Sequence, residues 1–481
     1  MHKPFKTLVS AAVLGIITTN ICHSGGFSLY MEDNGYSVGN FAAGVAAEAA
    51  DASTGWYNPA GLVLIRNQEL VGGGVGVFPV AKLSGTSTFF TTTGFPAPSP
   101  ASLSYVENFE NIQSSKNAFV PSAHYALPLG ERLTFGLSLV SPFGLATDWG
   151  ETSPVRYEAT YTDLKTVNLS PQLGGRLSDT FSIGAGLDLQ YAQVKFNRVL
   201  GAPSVLQFGD QPVNRVDSLS YNEGDSFAVG FHAGLLGMFN ADRTRIGLNY
   251  QSKMTHRFYG SSTLTGVLAT IESLGDDPAL VGTFVSPHLF SNSISLPDVL
   301  TLSAYHDVNE TFALLASIVY TGWSTFDIIQ LNNVAAVDIS STTAVTQTLV
   351  NAPSPQNFRD TWRAALGANY YICPTFMLRF GGGYDQTPTN NIDRDVRLPD
   401  TNRWGLSIGA HYQFRPNLGI DFGYSHLFGT SDSEINRTDP LGPSSTFTVN
   451  ARGRNHADLV GAQFVWMIDE CKPIVHAPMK D

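Results

Sequence analysis

Ser407 and His411 lie four residues apart, and Asp421 and Ser425 repeat that spacing in the next segment, so a nucleophile, a base and an acid sit close together in the chain. A hydrolase built on them would need hydroxyl and imidazole in hydrogen-bond contact, with a third group orienting the imidazole. The surrounding pattern rules this out. Trp404, Leu406, Ile408, Ala410, Tyr412 and Phe414 alternate strictly with Gly405, Ser407, Gly409, His411 and Gln413. Alternation of this kind is the period of a strand, along which residues four apart are separated by roughly 13 Å. His124, His232 and His256 are scattered, with no carboxylate pattern and no metal-ligand spacing. No enzyme, cofactor or metal is expected.

A different chemistry is open to Arg198. Phe181, Ile183, Ala185, Leu187, Leu189 and Tyr191 alternate with Ser182, Gly184, Gly186, Asp188 and Gln190. Continuing the second register through Ala192, Val194 and Phe196 places Arg198 on the small, polar face. A guanidinium there can clasp a carboxylate with two parallel hydrogen bonds. A solvated arginine at a strand rim is the plainer alternative.

The elements that carry these residues have one apolar face with aromatic ends and one small or polar face. Apolar residues facing lipid and polar ones facing a lumen are the pattern of a transmembrane β-barrel. Fourteen such strands are predicted, at about 68–79, 117–129, 132–143, 163–177, 180–199, 224–239, 243–259, 295–308, 311–330, 357–372, 375–386, 401–414, 418–428 and 453–467. Short turns such as Gly130-Glu131, Ser178-Asp179 and Arg415-Pro416-Asn417 alternate with long connections at 80–116, 144–162, 200–223, 260–294, 331–356, 387–400 and 429–452. That asymmetry places the short turns, and both termini, in the periplasm. The fold class is all-β: an antiparallel barrel over 68–467, a hatch over 25–67 packed in its lumen, and a periplasmic tail over 468–481.

Bulk properties agree. His2, Lys3 and Lys6 precede a short apolar stretch from Leu8 to Thr19, and Ser24 offers a cleavage position, which reads as a signal peptide over 1–24. No later stretch has the ~18 uncharged apolar residues of a membrane helix. The 46 glycines and the 14% of charged residues suit strands with a lipid-facing surface, and a net charge of -12 argues against nucleic acid. Cys373 and Cys471 outlast the signal, and a disulfide anchoring the tail is the hypothesis they support.

Two irregular segments stand out. Asn58-Pro59-Ala60-Gly61 forms a rigid turn, because proline lacks an amide hydrogen and keeps its predecessor out of helix. Val267, Leu268, Ile271 and Leu274 form a stripe that suits a short amphipathic helix, with Phe284 continuing the apolar character. Exposed apolar surface in a loop points to a hydrophobic ligand, or to loop residues packed on one another.

In its order of motifs the chain resembles the FadL family of outer-membrane transporters for long-chain fatty acids and other hydrophobic compounds. The resemblance runs through Gly26-Phe27, Asn58-Pro59-Ala60, Phe143-Gly144-Leu145-Ala146-Thr147, Leu296-Pro297-Asp298, Trp323-Ser324-Thr325-Phe326, Phe358-Arg359-Asp360 with Arg363, and Tyr384-Asp385 to Leu398-Pro399-Asp400 and Arg403-Trp404. It implies a monomeric fourteen-stranded barrel closed by a hatch that includes Asn58, Pro59 and Ala60. Ligand would be caught at the extracellular rim and passed to an internal pocket. It would then leave sideways into outer-membrane lipid through a kink in the third strand, here Pro142, Phe143 and Gly144. Proline removes a ladder hydrogen bond there and glycine permits a bend. Lys195-Phe196-Asn197-Arg198 matches the stretch holding the family's carboxylate-binding arginine. Phe27, Leu268, Ile271, Leu274 and Phe284 complete the expected ligand contacts. The family's second basic residue falls where this chain has Ser354-Pro355-Gln356, which removes a two-cation grip and implies a less acidic ligand. Passive, ligand-gated uptake of long-chain fatty acids follows from the resemblance, with aromatic or other neutral hydrophobic compounds as the alternative. A hydrophilic porin, which would lack the plug, is a third reading.

Overall fold

The computed structural model describes residues 26–91, 103–201, 216–270, 281–341, 344–441 and 445–468. Its wall is made of β1 (Glu69–Thr91), β2 (Ala118–Pro128), β3 (Leu133–Val140), β4 (Tyr161–Arg176), β5 (Phe181–Leu200), β6 (Ser218–Phe239) and β7 (Thr244–Gln251). It continues through β8 (Val299–Asn309), β9 (Phe312–Thr321), β10 (Thr361–Cys373), β11 (Phe376–Asp385), β12 (Arg403–Arg415), β13 (Leu418–Gly429) and β14 (Ser445–Met467). Each strand pairs antiparallel with its neighbours. β1 and β14 then pair along their whole length, from Glu69↔Met467 to Thr91↔Ser445, so the sheet closes and leaves no edge. Closure pairs the backbone groups of neighbouring strands with one another, which is what lipid demands.

The alternation read from the sequence sets which face is which. On β12, Leu406 is 63% exposed, on the outer face with Trp404 and Ile408, while Gly405, Ser407 and Gly409 point inward and are buried. Aromatic residues mark both ends of the outer face: Phe181, Phe239, Phe414 and Trp466 near the short turns, and Trp362 and Trp404 toward the long connections. Amphipathic rings settle at the two membrane interfaces. No described helix is long and apolar enough to cross a membrane.

Several long connections are not loops. β1 runs on to Thr91 and pairs with Leu103–Gln113, Ile328–Ser341 pairs with Ala344–Pro355, and Ser433–Pro440 pairs with β14. Part of the 260–294 connection is also a hairpin. Tyr259–Gly266 pairs with Gly282–Ser291, Leu264 standing opposite Phe284, and Val267–Ala269, where the expected amphipathic helix begins, makes a helical turn. The run Ser261-Ser262-Thr263 has little helix propensity, and hydroxyl and β-branched side chains suit a strand. Ile271 and Leu274 lie outside the described residues, as do the signal, the tail and Cys471. Cys373 is exposed and unbridged.

Residues 26–66 are enclosed by the wall. Their polar contacts radiate to well-separated strands: Asp33 O to His124 Nε2 on β2, Ala60 O to Ser182 on β5, Asn58 Nδ2 to Leu235 O on β6, Gly44 N to Ser317 on β9, and Gly35 N to Gln463 on β14. Only a segment inside the ring reaches all of these. The rigid turn at Asn58 takes a specific form: its side chain accepts from Ala60 N at 3.1 Å and caps the 3-10 turn Pro59–Leu64. Gly247 on β7 lies so close to the Ala46 carbonyl that a Cβ has no room there.

Candidate functional site

The wall is interrupted after β3. β2 pairs with β3 only from Ala123↔Leu139 to Pro128↔Thr134, and β3 ends at Val140. After Ser141-Pro142-Phe143 the chain resumes as a strand, Gly144–Asp148, still paired with β4. Proline offers no ladder donor, and the two backbone groups of Phe143 that lose the ladder are taken by a side chain. Phe143 N donates to Thr166 Oγ1 at 3.0 Å, and that hydroxyl donates to Phe143 O at 2.7 Å. Further out the wall recloses through Ser115↔Thr147 and the bond from Asp148 N to Ser114 O.

The break is filled from inside by the start of the enclosed segment. Leu29 N donates to Pro142 O at 2.9 Å and Gly144 N donates to Phe27 O at 2.8 Å, so Phe27–Leu29 forms a three-residue strand across it. Phe27 is held edge-on against Trp323 and Phe326, at 4.6 and 5.1 Å between ring centres, with Phe143 and Phe358 close by. Gly26 N donates to Asp400 Oδ2 at 2.9 Å, and Arg403 secures the other carboxylate oxygen at 2.7 Å.

Beside the break lies an internal cavity of about 670 Å³. Leu145, Leu164, Val194, Phe258, Leu296 and Phe326 line its apolar part, and Phe27 is the one residue of 26–66 that reaches it among the described residues. Its outer end is charged, with Arg198, Arg397, Glu158, Asp395 and Asp439. An apolar chamber with a few convergent polar groups is the usual form of a site for an amphipathic ligand. Arg198 sits on the inward face with Val194 and Phe196, and has no hydrogen-bond or ion-pair partner among the described residues. Its partial exposure is exposure to this cavity.

The other residues singled out from sequence distribute as follows. Leu268 lines the cavity; Phe284 does not, and packs instead beside Leu264 and Ala335 in the outer hairpin. Asn58, Pro59 and Ala60 lie away from the cavity, against β5 and β6. Pro142, Phe143 and Gly144 frame the break. Ser354 and Gln356 line the cavity as neutral groups, but the single cation expected there has a companion: Arg397 stands over the Phe196 ring at 5.9 Å. Sequence periodicity had no means of finding it, because Arg397 lies in an irregular loop. Its place next to Leu398-Pro399-Asp400 was the available clue.

The enclosed segment carries buried acids. Glu32 accepts from Met31 N through one oxygen and leaves the other unpartnered; burial pushes its carboxyl up to about 7. Asp33, Glu48 and Asp51 are raised for the same reason. A carboxyl whose folded pKa exceeds its unfolded one stabilises the fold fully below the unfolded value and loses that contribution as pH rises through the folded value. For Glu32 the window is about 4.5 to 7 and the loss about 3 kcal/mol. Protection factors for amide exchange across 26–66, corrected for the intrinsic pH dependence of exchange, are therefore expected to be higher at pH 5 than at pH 8. Glu32→Gln should shrink that difference; equal protection at both pH values would refute the reading.

A closed antiparallel barrel, filled by its own N-terminal segment and holding an apolar chamber beside a broken strand, defines an outer-membrane transport protein. The chain belongs to the outer membrane protein transport protein family (OMPP1/FadL/TodX), whose sequence profile matches residues 15–466. It is 29% identical over 444 residues to a long-chain fatty acid transport protein of Escherichia coli O6:H1, covering 88% of this chain and 92% of that one. To outer membrane protein P1 of Haemophilus influenzae it is 28% identical over 488 residues, covering 96% and 98%. In three dimensions it is similar to a Pseudomonas aeruginosa FadL homologue, with a TM-score of 0.75, 23% identity, and 92% and 100% coverage. It is also similar to the Pseudomonas putida toluene transporter TodX, with a TM-score of 0.61, 16% identity, and 92% and 100% coverage. At these identities the two solved structures speak for the fold.

Proposed function

We propose that this protein takes up long-chain fatty acids by passive, ligand-gated diffusion and releases them sideways through the break after β3. The observation that carries the reading is the continuity of Phe27 with Ser28 and Leu29. The same three residues meet the cavity at one end and fill the break at the other. A ligand that displaces Phe27 must disturb the strand that closes the wall, which gives ligand binding a differential interaction with the open and closed states.

Sideways release also fits the energetics. An acyl chain gains roughly 0.8 kcal/mol per CH₂ on leaving water. A path through the lumen into the periplasm would return that gain, whereas a path through the wall delivers the chain to lipid. On this reading the binding energy of the ligand drives the opening.

Arg198 favours a carboxylate over a neutral hydrocarbon, since toluene would leave the guanidinium unpartnered beside apolar walls. The test is uptake of labelled oleate and of toluene by cells with and without the protein. Oleate uptake that depends on the protein supports the reading. Toluene uptake alone would move the assignment to aromatic compounds, and uptake of neither would overturn it.

A further inference from the structure

We infer that Arg397 is the second cation of the headgroup site, and that it and Arg198 together hold a singly charged carboxylate. The inference rests on the fatty-acid reading above and assigns the residues that select the charge of the substrate.

Arg198 comes from the inward face of β5 and Arg397 from the loop between β11 and β12, and both line one cavity. The Arg397 guanidinium lies over the ring of Phe196, two residues from Arg198 on the same face. It is held on one side only. Nη1 donates to Asp395 Oδ2 at 2.7 Å and Nη2 donates to the Glu158 carbonyl, while Nε is buried without a partner among the described residues. Two guanidiniums thus face one enclosed space, and their mutual repulsion, offset in part by Asp395 and Asp439, is relieved further when an anion enters.

The other charges of that end have been spent on one another. Arg437 stands 2.8 Å from Asp439 and within 4 Å of Glu158 and Asp395. Burial and the neighbouring Asp395 and Asp439 hold the Glu158 carboxyl well above the ordinary carboxylate range, so it keeps its proton. Arg397 and Arg437 hold Asp395 well below that range, so it is ionised. Arg437 is paired with Asp439 and Arg397 with Asp395, so the positive charge left over at this end is that of Arg198. Asp338 also lines the cavity but is exposed to solvent, which screens it. A residual single charge matches a fatty acid anion. It matches neither a neutral hydrocarbon nor a dianion.

The test compares binding of oleate and of methyl oleate to the purified full chain in detergent, for the unaltered protein and for Arg198→Gln, Arg397→Gln and Arg397→Lys. Folding is checked in each case by heat-modifiable gel mobility. Arg397→Gln should weaken oleate about tenfold, as loss of a charge-assisted hydrogen bond does, and leave methyl oleate unchanged. Arg397→Lys should restore most of the difference. If Arg397→Gln binds oleate within twofold of the unaltered protein while Arg198→Gln does not, Arg397 is a structural residue and the inference is wrong, though the function stands. If no variant separates oleate from methyl oleate, the fatty-acid reading itself has failed. Asp395→Asn supplies an independent arm should Arg397→Gln not fold. Freeing Arg397 from its partner should tighten oleate several-fold, and unchanged or weaker binding counts against the assignment.

Discussion

A disulfide between positions 28 and 143 is expected to stop oleate uptake altogether, and its reduction to bring uptake back. Ser28 and Phe143 face each other across the short ladder that fills the wall. The bonds on either side run from Leu29 N to Pro142 O and from Gly144 N to Phe27 O, which makes 28 and 143 a non-hydrogen-bonded pair. Such pairs have Cα atoms about 4.5 Å apart, inside the roughly 4.4–6.8 Å range that a disulfide spans. Ser28→Cys with Phe143→Cys, made with Cys373 and Cys471 replaced by serine, should therefore oxidise without moving the backbone. With the bridge closed, Phe27–Leu29 cannot leave the break and an acyl chain has no sideways exit. The reduced form loses the Phe143 ring from the aromatic cluster but keeps Trp323, Phe326 and Phe358 around Phe27, so it should still transport. Uptake by a fully oxidised variant at the rate of its reduced form would show that the chain leaves by another route.

The break in the wall was half legible in the sequence. Proline at position 142 announces a break because it cannot donate to a ladder. Nothing local announces what fills the break, since Phe27–Leu29 is more than a hundred residues away and three residues carry no period. The wall itself was legible where the membrane imposes it. Trp404 to Phe414 alternates because one face meets lipid, and the short turns at Ser178-Asp179 and Pro416-Asn417 fall where they were expected. Beyond the membrane that constraint lapses. The outer part of β1 and the hairpin Ile328–Ser341 with Ala344–Pro355 mix serine, threonine, asparagine and glutamine with apolar residues in no strict alternation, and such stretches look like loop. Of the stripe at Val267, Leu268, Ile271 and Leu274, the first two residues fall in a 3-10 turn and the others lie outside the described residues. Arg198 could be placed because its strand carries a register. Arg397 could not, because a loop residue's direction is set by what packs around it, here Phe196, Asp395 and Glu158.

Reversing the charge at Arg198 should have the largest effect of any single substitution in the cavity. Arg198→Glu is expected to lower oleate uptake about a hundredfold or more, because hydrogen bonds to charged groups contribute about 1.5–3 kcal/mol and the new carboxylate also repels the incoming one. Uptake of a neutral compound such as toluene, where the protein supports any, should change little, since Leu145, Val194 and Phe326 are untouched. Arg198→Lys should fall between, because a point charge replaces a two-pronged donor but keeps its sign. The substitution is unusually clean to interpret. Most buried arginines in this protein are tied into the fold, as Arg379 is to Asp421 and Arg403 to Asp400, so replacing them strands a partner. Arg198 has no partner among the described residues, and removing it breaks no internal bond. A stable, correctly inserted Arg198→Glu barrel that takes up oleate within twofold of the unaltered protein would place the carboxylate elsewhere, and with it the polar end of the path.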